Sequence, residues 1–203
     1  MNYFVTAIGT DSGKTVVSAM IAEALGADYW KPIQSGYPTD TETVQELVSN
    51  PYSVFHTEAY QLEEPASPHQ AARKEGINIQ LNNIWLPETN NDLIIEGAGG
   101  LMVPLNQHQF MIDLLEKVSD QIILVANLYL GSINHTLLSI DMLKRRNIPV
   151  KGIVFNGRPN RDSEEVILGF SGYRRLMHLP PGLHIDKATV KQYAYKFLKV
   201  WNG

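Results

Sequence analysis

The stretch Thr6-Ala7-Ile8-Gly9-Thr10-Asp11-Ser12-Gly13-Lys14-Thr15 decides how this chain is read. An apolar run enters a turn bracketed by two glycines, closes on Gly-Lys-Thr and passes into a helical pattern that starts at Lys14. That order describes a phosphate loop. Successive backbone N–H groups turn inward, the helix adds its positive dipole end, a lysine reaches the outer phosphates and a hydroxyl joins a magnesium ion. Gly9, Thr10, Asp11, Ser12 and Gly13 are the expected cradle, with Lys14 on the phosphates and Thr15 on Mg²⁺. Gly9 and Gly13 enclose three residues, one fewer than the usual spacing of such loops.

Outward from this loop, short apolar runs alternate with helix-period segments, the pattern of βα units around a parallel sheet. Strands are expected at 3–7, 27–30, 92–95, 121–126 and 150–155. Helices are expected at 14–25, 41–49, 110–118, 133–146 and 186–201, the last with Val190, Tyr193, Phe197, Val200 and Trp201 as its packed stripe. Segments 50–66 and 156–185, rich in Pro, Gly and His, read as loops on the active face. The expected fold is a doubly wound, mostly parallel α/β sheet of the P-loop type, built as one domain over residues 1–203.

Composition narrows the function classes. The chain has 203 residues, 44% of them apolar, and a formal charge of −4, which argues against a general nucleic-acid or membrane surface. The densest basic run, Lys144-Arg145-Arg146, sits where a helix C-terminus favours cations. With no cysteine there is no disulfide and no thiol chemistry. No leader or spanning segment is read, so a cytoplasmic protein is expected. The six histidines form no metal-binding spacing.

Three further segments carry candidate chemistry. In Asp92-Leu93-Ile94-Ile95-Glu96-Gly97-Ala98-Gly99-Gly100 a buried strand ends in a carboxylate followed by a glycine turn. Strand carboxyl ends line the crevice of an open α/β sheet, which places Glu96 beside the loop as a Mg²⁺ ligand and Gly99 near the nucleotide. The alternative is a strand-end carboxylate with turn glycines. In Trp30-Lys31-Pro32-Ile33-Gln34-Ser35-Gly36 the proline holds Lys31 extended at a strand end, supplying a second ammonium for a transferring phosphoryl group, or else a merely solvated lysine. Asp40, before a helical pattern, is either that helix's N-cap or a further Mg²⁺ ligand. The helix start at Gly131-Ser132-Ile133-Asn134-His135 could bind an anion such as a carboxylate.

Taken together these segments resemble the dethiobiotin synthetase family. The resemblance runs in order through Gly9–Thr15, Lys31–Gly36, Asp40-Thr41-Glu42-Thr43, Pro65-Ala66-Ser67-Pro68-His69, Glu96–Gly100 and Leu130–His135. It implies an ATP-dependent cyclo-ligase that joins CO₂ to 7,8-diaminopelargonic acid, activates the carbamate as a carbamic-phosphoric anhydride and closes a ureido ring, releasing ADP and phosphate. By that resemblance Lys14, Lys31 and Ser35 are catalytic, Thr15, Asp40 and Glu96 hold Mg²⁺, and Asn156 reads the adenine beside a wall of Pro180-Pro181-Gly182. Gly131, Ser132 and Asn134 would hold the substrate carboxylate across a homodimer interface.

The family's loop, G-T-D-T-x-x-G-K-T, is two residues longer than the one here. A basic residue often found before the Leu-Gly-x-Ile-Asn-His motif is replaced by Asn127-Leu128-Tyr129. The alternatives are an amide-forming synthetase of the same fold, which would ordinarily carry a cysteine-dependent glutaminase domain, a partition-type or non-catalytic P-loop ATPase, which would carry an extra lysine early in the loop, or a degenerate synthetase that binds without turnover.

Overall fold

The computed structural model describes residues 1–201. Nine strands and seven helices follow in chain order: β1 (Asn2–Ala7), α1 (Lys14–Leu25), β2 (Asp28–Trp30), β3 (Ile33–Ser35), α2 (Asp40–Leu47), β4 (Phe55–His56), β5 (Tyr60–Leu62), α3 (Pro68–Lys74), β6 (Leu93–Gly100), α4 (Met111–Val118), β7 (Gln121–Leu128), α5 (Ser132–Arg145), β8 (Val150–Gly157), α6 (Arg161–Ser171), β9 (Arg175–Leu179) and α7 (Lys187–Trp201). Seven strands form one sheet in the order β4-β2-β6-β1-β7-β8-β9, every pair parallel, and β3 and β5 make a small second sheet.

Alternation along β1 builds both faces. Tyr3, Val5 and Ala7 join Val17, Ile21, Val190 and Phe197 in one core under α1 and α7, while Phe4 points the other way into a core with Met111, Leu114 and Leu115 of α4. Trp201 closes the first core edge-on to Tyr3, their ring centroids 4.8 Å apart. Ile140 of α5 and Ile167 of α6 cover the β7–β8 half of the second face. The chain winds from β1 out to β2 on one side, and after β6 crosses β1 to β7 on the other. The switch point, where an open α/β sheet leaves its ligand crevice, therefore lies over the carboxyl end of β1, where the glycine loop emerges.

Several expected boundaries move. The regions 50–66 and 156–185 are not simply loops: they contain β4, β5, α6 and β9. In α6 only Ile167 of the larger apolar residues is buried, with Val166 and Phe170 half exposed, so no helical stripe is legible. The strand over 92–95 does not stop at Glu96; β6 continues through the glycines to Gly100. It can do so because these positions lack side chains: a Cβ at Gly97 would lie 2.6 Å from Phe4 Cε1, and one at Gly100 would lie 3.1 Å from the Ala7 carbonyl oxygen. Val200, expected in the packed stripe of α7, is exposed.

At the opposite end of the sheet, buried Asp28 gathers the loops. Its Oδ1 accepts from Val54 N and Asn91 Nδ2 at 2.9 Å each, and its Oδ2 accepts from Thr89 Oγ1 at 2.5 Å and faces His56 Nε2 at 3.2 Å. Burial raises the Asp28 pKa, but the hydrogen bonds outweigh it and hold the carboxyl below its ordinary range. A depressed folded-state pKa contributes stability above the unfolded value of about 3.9, and that contribution is lost as pH falls through the folded value. Asp28→Asn is expected to cost about 2–3 kcal/mol near neutral pH, and the gap between mutant and parent should close as urea melts are taken towards about pH 3. A gap that does not change with pH would assign the loss to packing.

Candidate active site

Above the switch point lies a cleft of about 830 Å³. Thr10, Asp11, Ser12, Gly13, Lys14 and Thr15 form one wall, Lys31, Ser35 and Asp40 a second, and Glu96, Ala98 and Gly99 the floor. Gly13 has φ +89° and is the backbone N-cap of α1. This left-handed conformation suits glycine and turns the chain from loop to helix without strain. Lys14 is buried and its Nζ lies 3.3 Å from the carbonyl oxygen of Gly9, so the lysine folds back over the loop. Gly9 itself does not line the cleft but anchors this turn through its carbonyl, which also lies 3.1 Å from Ser12 Oγ.

The charged centre is compact. Thr15 Oγ1 sits 2.9 Å from Glu96 Oε1 and 3.1 Å from Asp40 Oδ1. Lys31 Nζ is 2.5 Å from Asp40 Oδ2 and 3.1 Å from Glu96 Oε1. Glu96, 1% exposed, takes a further bond on Oε2 from Tyr29 OH at 2.9 Å.

Burial lowers the Lys31 pKa, yet the neighbouring Glu96 and Asp40 carboxylates prevail and raise it, so Lys31 stays an ammonium. Lys14 moves the other way: burial lowers its pKa, the attraction of Glu96 opposes this, and the charge of Lys31 lowers it further. Tyr29 is pushed well above its ordinary range by burial and then by Glu96 and Asp40, which keeps its hydroxyl a donor.

Asp40 is not the helix cap. Thr39 caps α2, its Oγ1 accepting from Glu42 N at 3.1 Å while the Glu42 carboxylate accepts from Thr39 N at 2.9 Å. This capping box satisfies the helix start and leaves the Asp40 carboxylate to Lys31 and Thr15. Gln34 Oε1 further accepts from Asp40 N at 3.2 Å. Ser35 lines the cleft, and its Oγ is buried with no hydrogen-bond partner among the described residues. Pro65, Ala66, Ser67 and Pro68 also line the cleft.

A side cleft of about 180 Å³, walled by Asn156, Leu179, Pro180, Pro181 and Gly182, meets the main one at Gly13 and Val16. Asn156 belongs to β8 rather than following it, and its Nδ2 donates to the Ser12 carbonyl at 2.9 Å. Gly131, Ser132 and Asn134 line neither cleft. Asn134 is exposed in the first turn of α5, whose N-cap is Gly131 at φ +99° with no side-chain cap. His135 is also exposed, with Nδ1 2.5 Å from Tyr129 OH.

Sequence reading did not single out Tyr29 or Gln34, whose roles arise from the strands next to Lys31. Nor did it single out Asn127, whose Oδ1 meets Ser12 Oγ at 2.9 Å.

Residues 1–189 match the family model described as an AAA domain. Similarity to curated proteins extends over nearly the whole chain. The ATP-dependent dethiobiotin synthetase BioD of Cytophaga hutchinsonii is 55% identical over 201 residues, 98% of each chain. That of Christiangramia forsetii is 51% identical over 98% of this chain and 96% of its own, and that of Paramagnetospirillum magneticum 45% identical over 92% and 91%. The chain belongs to the dethiobiotin synthetase family.

Similarity to solved structures gives the fold alone. The ParA family ATPase of Chlorobium tepidum matches with a TM-score of 0.56 at 12% identity, over 99% of this chain and 90% of its own. The cell division ATPase MinD of Pyrococcus furiosus matches with 0.57 at 14%, over 98% of both chains. This chain and these two ATPases thus share one overall fold. Among the described residues no helix is long and apolar enough to cross a membrane.

Proposed function

We propose that the cleft binds ATP and 7,8-diaminopelargonic acid together and makes dethiobiotin. One observation carries the reading: Lys14, Thr15, Lys31, Ser35, Asp40 and Glu96, from four separate stretches of sequence, line one cleft. Phosphoryl transfer asks mainly for positioning and charge neutralisation, and needs no protein nucleophile.

One amine of the diamine adds to CO₂ and loses a proton, giving a carbamate. A carbamate oxygen then attacks the γ-phosphorus of ATP while the bond to the β-bridging oxygen breaks and ADP leaves. The second amine attacks the carbamoyl carbon, expels phosphate and closes the ring. Lys14 neutralises the outer phosphates and Lys31 the charge shared between carbamate and γ-phosphoryl group. Ser35, whose hydroxyl has no hydrogen-bond partner among the described residues, turns it to the carbamate or amine, which removes the desolvation cost it carries alone.

The oxygen donors Thr15, Asp40 and Glu96 suit a hard cation. Mg²⁺ is usually held by one or two carboxylates with substrate phosphates completing its shell. Bound there, Mg²⁺ would neutralise the β- and γ-phosphate oxygens. Asn156 and the prolines of the side cleft take the adenine.

The substrate carboxylate falls to Gly131, Ser132 and Asn134 of a second copy, in a cytoplasmic homodimer. These residues lie outside the cleft of their own chain, and the first turn of α5 has no side-chain cap, leaving its dipole end to a carboxylate. Asn134 contributes its amide directly, since Gly131 and not Asn134 occupies the cap position. Asn134→Ala is expected to raise the diamine KM about tenfold, the worth of one hydrogen bond to a charged group, and to leave the ATP KM unchanged. Sedimentation at assay concentration checks the assembly, and a fully active monomer would overturn the shared site.

The reaction is tested by measuring ADP release with each substrate omitted in turn. ADP should appear only when diamine and bicarbonate are both present, and equal release without the diamine would replace this reading with a partition-type ATPase.

A further inference from the structure

The phosphate loop is fastened by two asparagines. Asn127 of β7 and Asn156 of β8 are register partners on adjacent parallel strands, so their side chains stand side by side at the carboxyl edge of the sheet. Both reach Ser12, which is fully buried: Asn127 Oδ1 accepts from Ser12 Oγ at 2.9 Å, and Asn156 Nδ2 donates to the Ser12 carbonyl at 2.9 Å. The hydroxyl has weaker internal alternatives in the carbonyls of Gly9 at 3.1 Å and Thr10 at 3.4 Å, so Asn127 supplies its shortest contact. A trans peptide carries its N–H opposite its C=O. Holding the Ser12 carbonyl against β8 therefore fixes the direction of the Gly13 N–H, the last loop amide before α1.

We propose that Asn127 is a positioning residue for the nucleotide phosphates, acting through Ser12. With Asn156 it forms a clamp that holds Ser12 by its hydroxyl and its carbonyl at once. Preorganisation is the physical gain: a loop whose amides already point into the cleft loses less conformational freedom when an anion binds. The clamp also joins two parts of the nucleotide site, because Asn156 grips the loop and borders the side cleft at once. This inference rests on the reading of the main cleft as the ATP site.

The test is a double-mutant cycle on ADP binding by calorimetry, using Asn127→Ala, Ser12→Ala and the two combined, with Lys14→Ala as a reference. Each single clamp variant should weaken ADP about five- to tenfold, the range of one net hydrogen bond. The pair should be no weaker than either alone, and the diamine KM should stay within about twofold of the parent's. Ser12→Ala removes the same bond from the loop side and carries the test should Asn127→Ala fold poorly.

Wild-type ADP affinity in both single variants would overturn the clamp, as would losses that multiply in the pair. If those variants bind normally while Lys14→Ala does not, only the clamp is wrong. If Lys14→Ala also binds ADP normally, the site reading falls with it.

Discussion

Lys31→Met is expected to lower turnover by about two to three orders of magnitude, the cost of about 2.7–4 kcal/mol that attends loss of one preorganised charge contact in a transition state. The same substitution should also destabilise the fold, because Glu96, 1% exposed, would keep its charge with only hydroxyl partners. Breaking a buried pair from one side costs about 3–5 kcal/mol, whereas removing both charges is often close to neutral. A second substitution therefore isolates the contribution to stability. Lys31→Met combined with Glu96→Gln should recover most of the lost Tm and none of the lost turnover. If activity returns with stability, Lys31 holds the fold together and does not act on the phosphoryl group.

Gly13→Ala should be nearly as damaging to nucleotide binding, for a backbone reason. At φ +89° a Cβ would sit 2.6 Å from Asn156 Nδ2. The left-handed conformation costs an L-residue about 1–2 kcal/mol, and the amide has to swing away from Ser12 to make room. An ADP Kd raised at least about tenfold is expected, with a smaller change in the diamine KM. Unchanged ADP affinity would mean that the amide relocates at no cost to the loop.

How far the site was legible in the sequence follows from how local its determinants are. Helix α1 was readable to the residue because a glycine turn, Lys14 and an apolar period coincide, and Gly26, at φ +59°, ends it with a left-handed cap. Lys31 was readable because Pro32 forbids a helix there.

Asp40 was ambiguous for a sound reason: an aspartate near a helix start caps helices in most settings, and here the Thr39–Glu42 box takes over that duty. Glu96 was placed correctly beside the loop but for the wrong backbone, since nothing in Gly97-Ala98-Gly99-Gly100 announces that its glycines continue a strand pressed against Phe4 and Ala7.

Helix α6 and strand β9 went unread. The former buries little of its apolar side, and the latter is a five-residue edge strand with polar residues at its first and fourth positions. Asn127 enters the sequence reading only as part of Asn127-Leu128-Tyr129, the stretch without a basic residue. Its bond to Ser12 spans 115 positions of sequence, and no local pattern carries it.

Transfer of the γ-phosphoryl group of ATP to a carbamate oxygen in this cleft would leave its trace in the phosphate released. The most direct measurement supplies ¹⁸O-bicarbonate with ATP, Mg²⁺ and 7,8-diaminopelargonic acid, and follows the label into phosphate by mass spectrometry. A carbamate oxygen that attacks phosphorus leaves with it at ring closure, so one labelled oxygen is expected in each phosphate released, in step with dethiobiotin. Phosphate released without label, its new oxygen drawn from water, would show that ATP is merely hydrolysed and would contradict the claim.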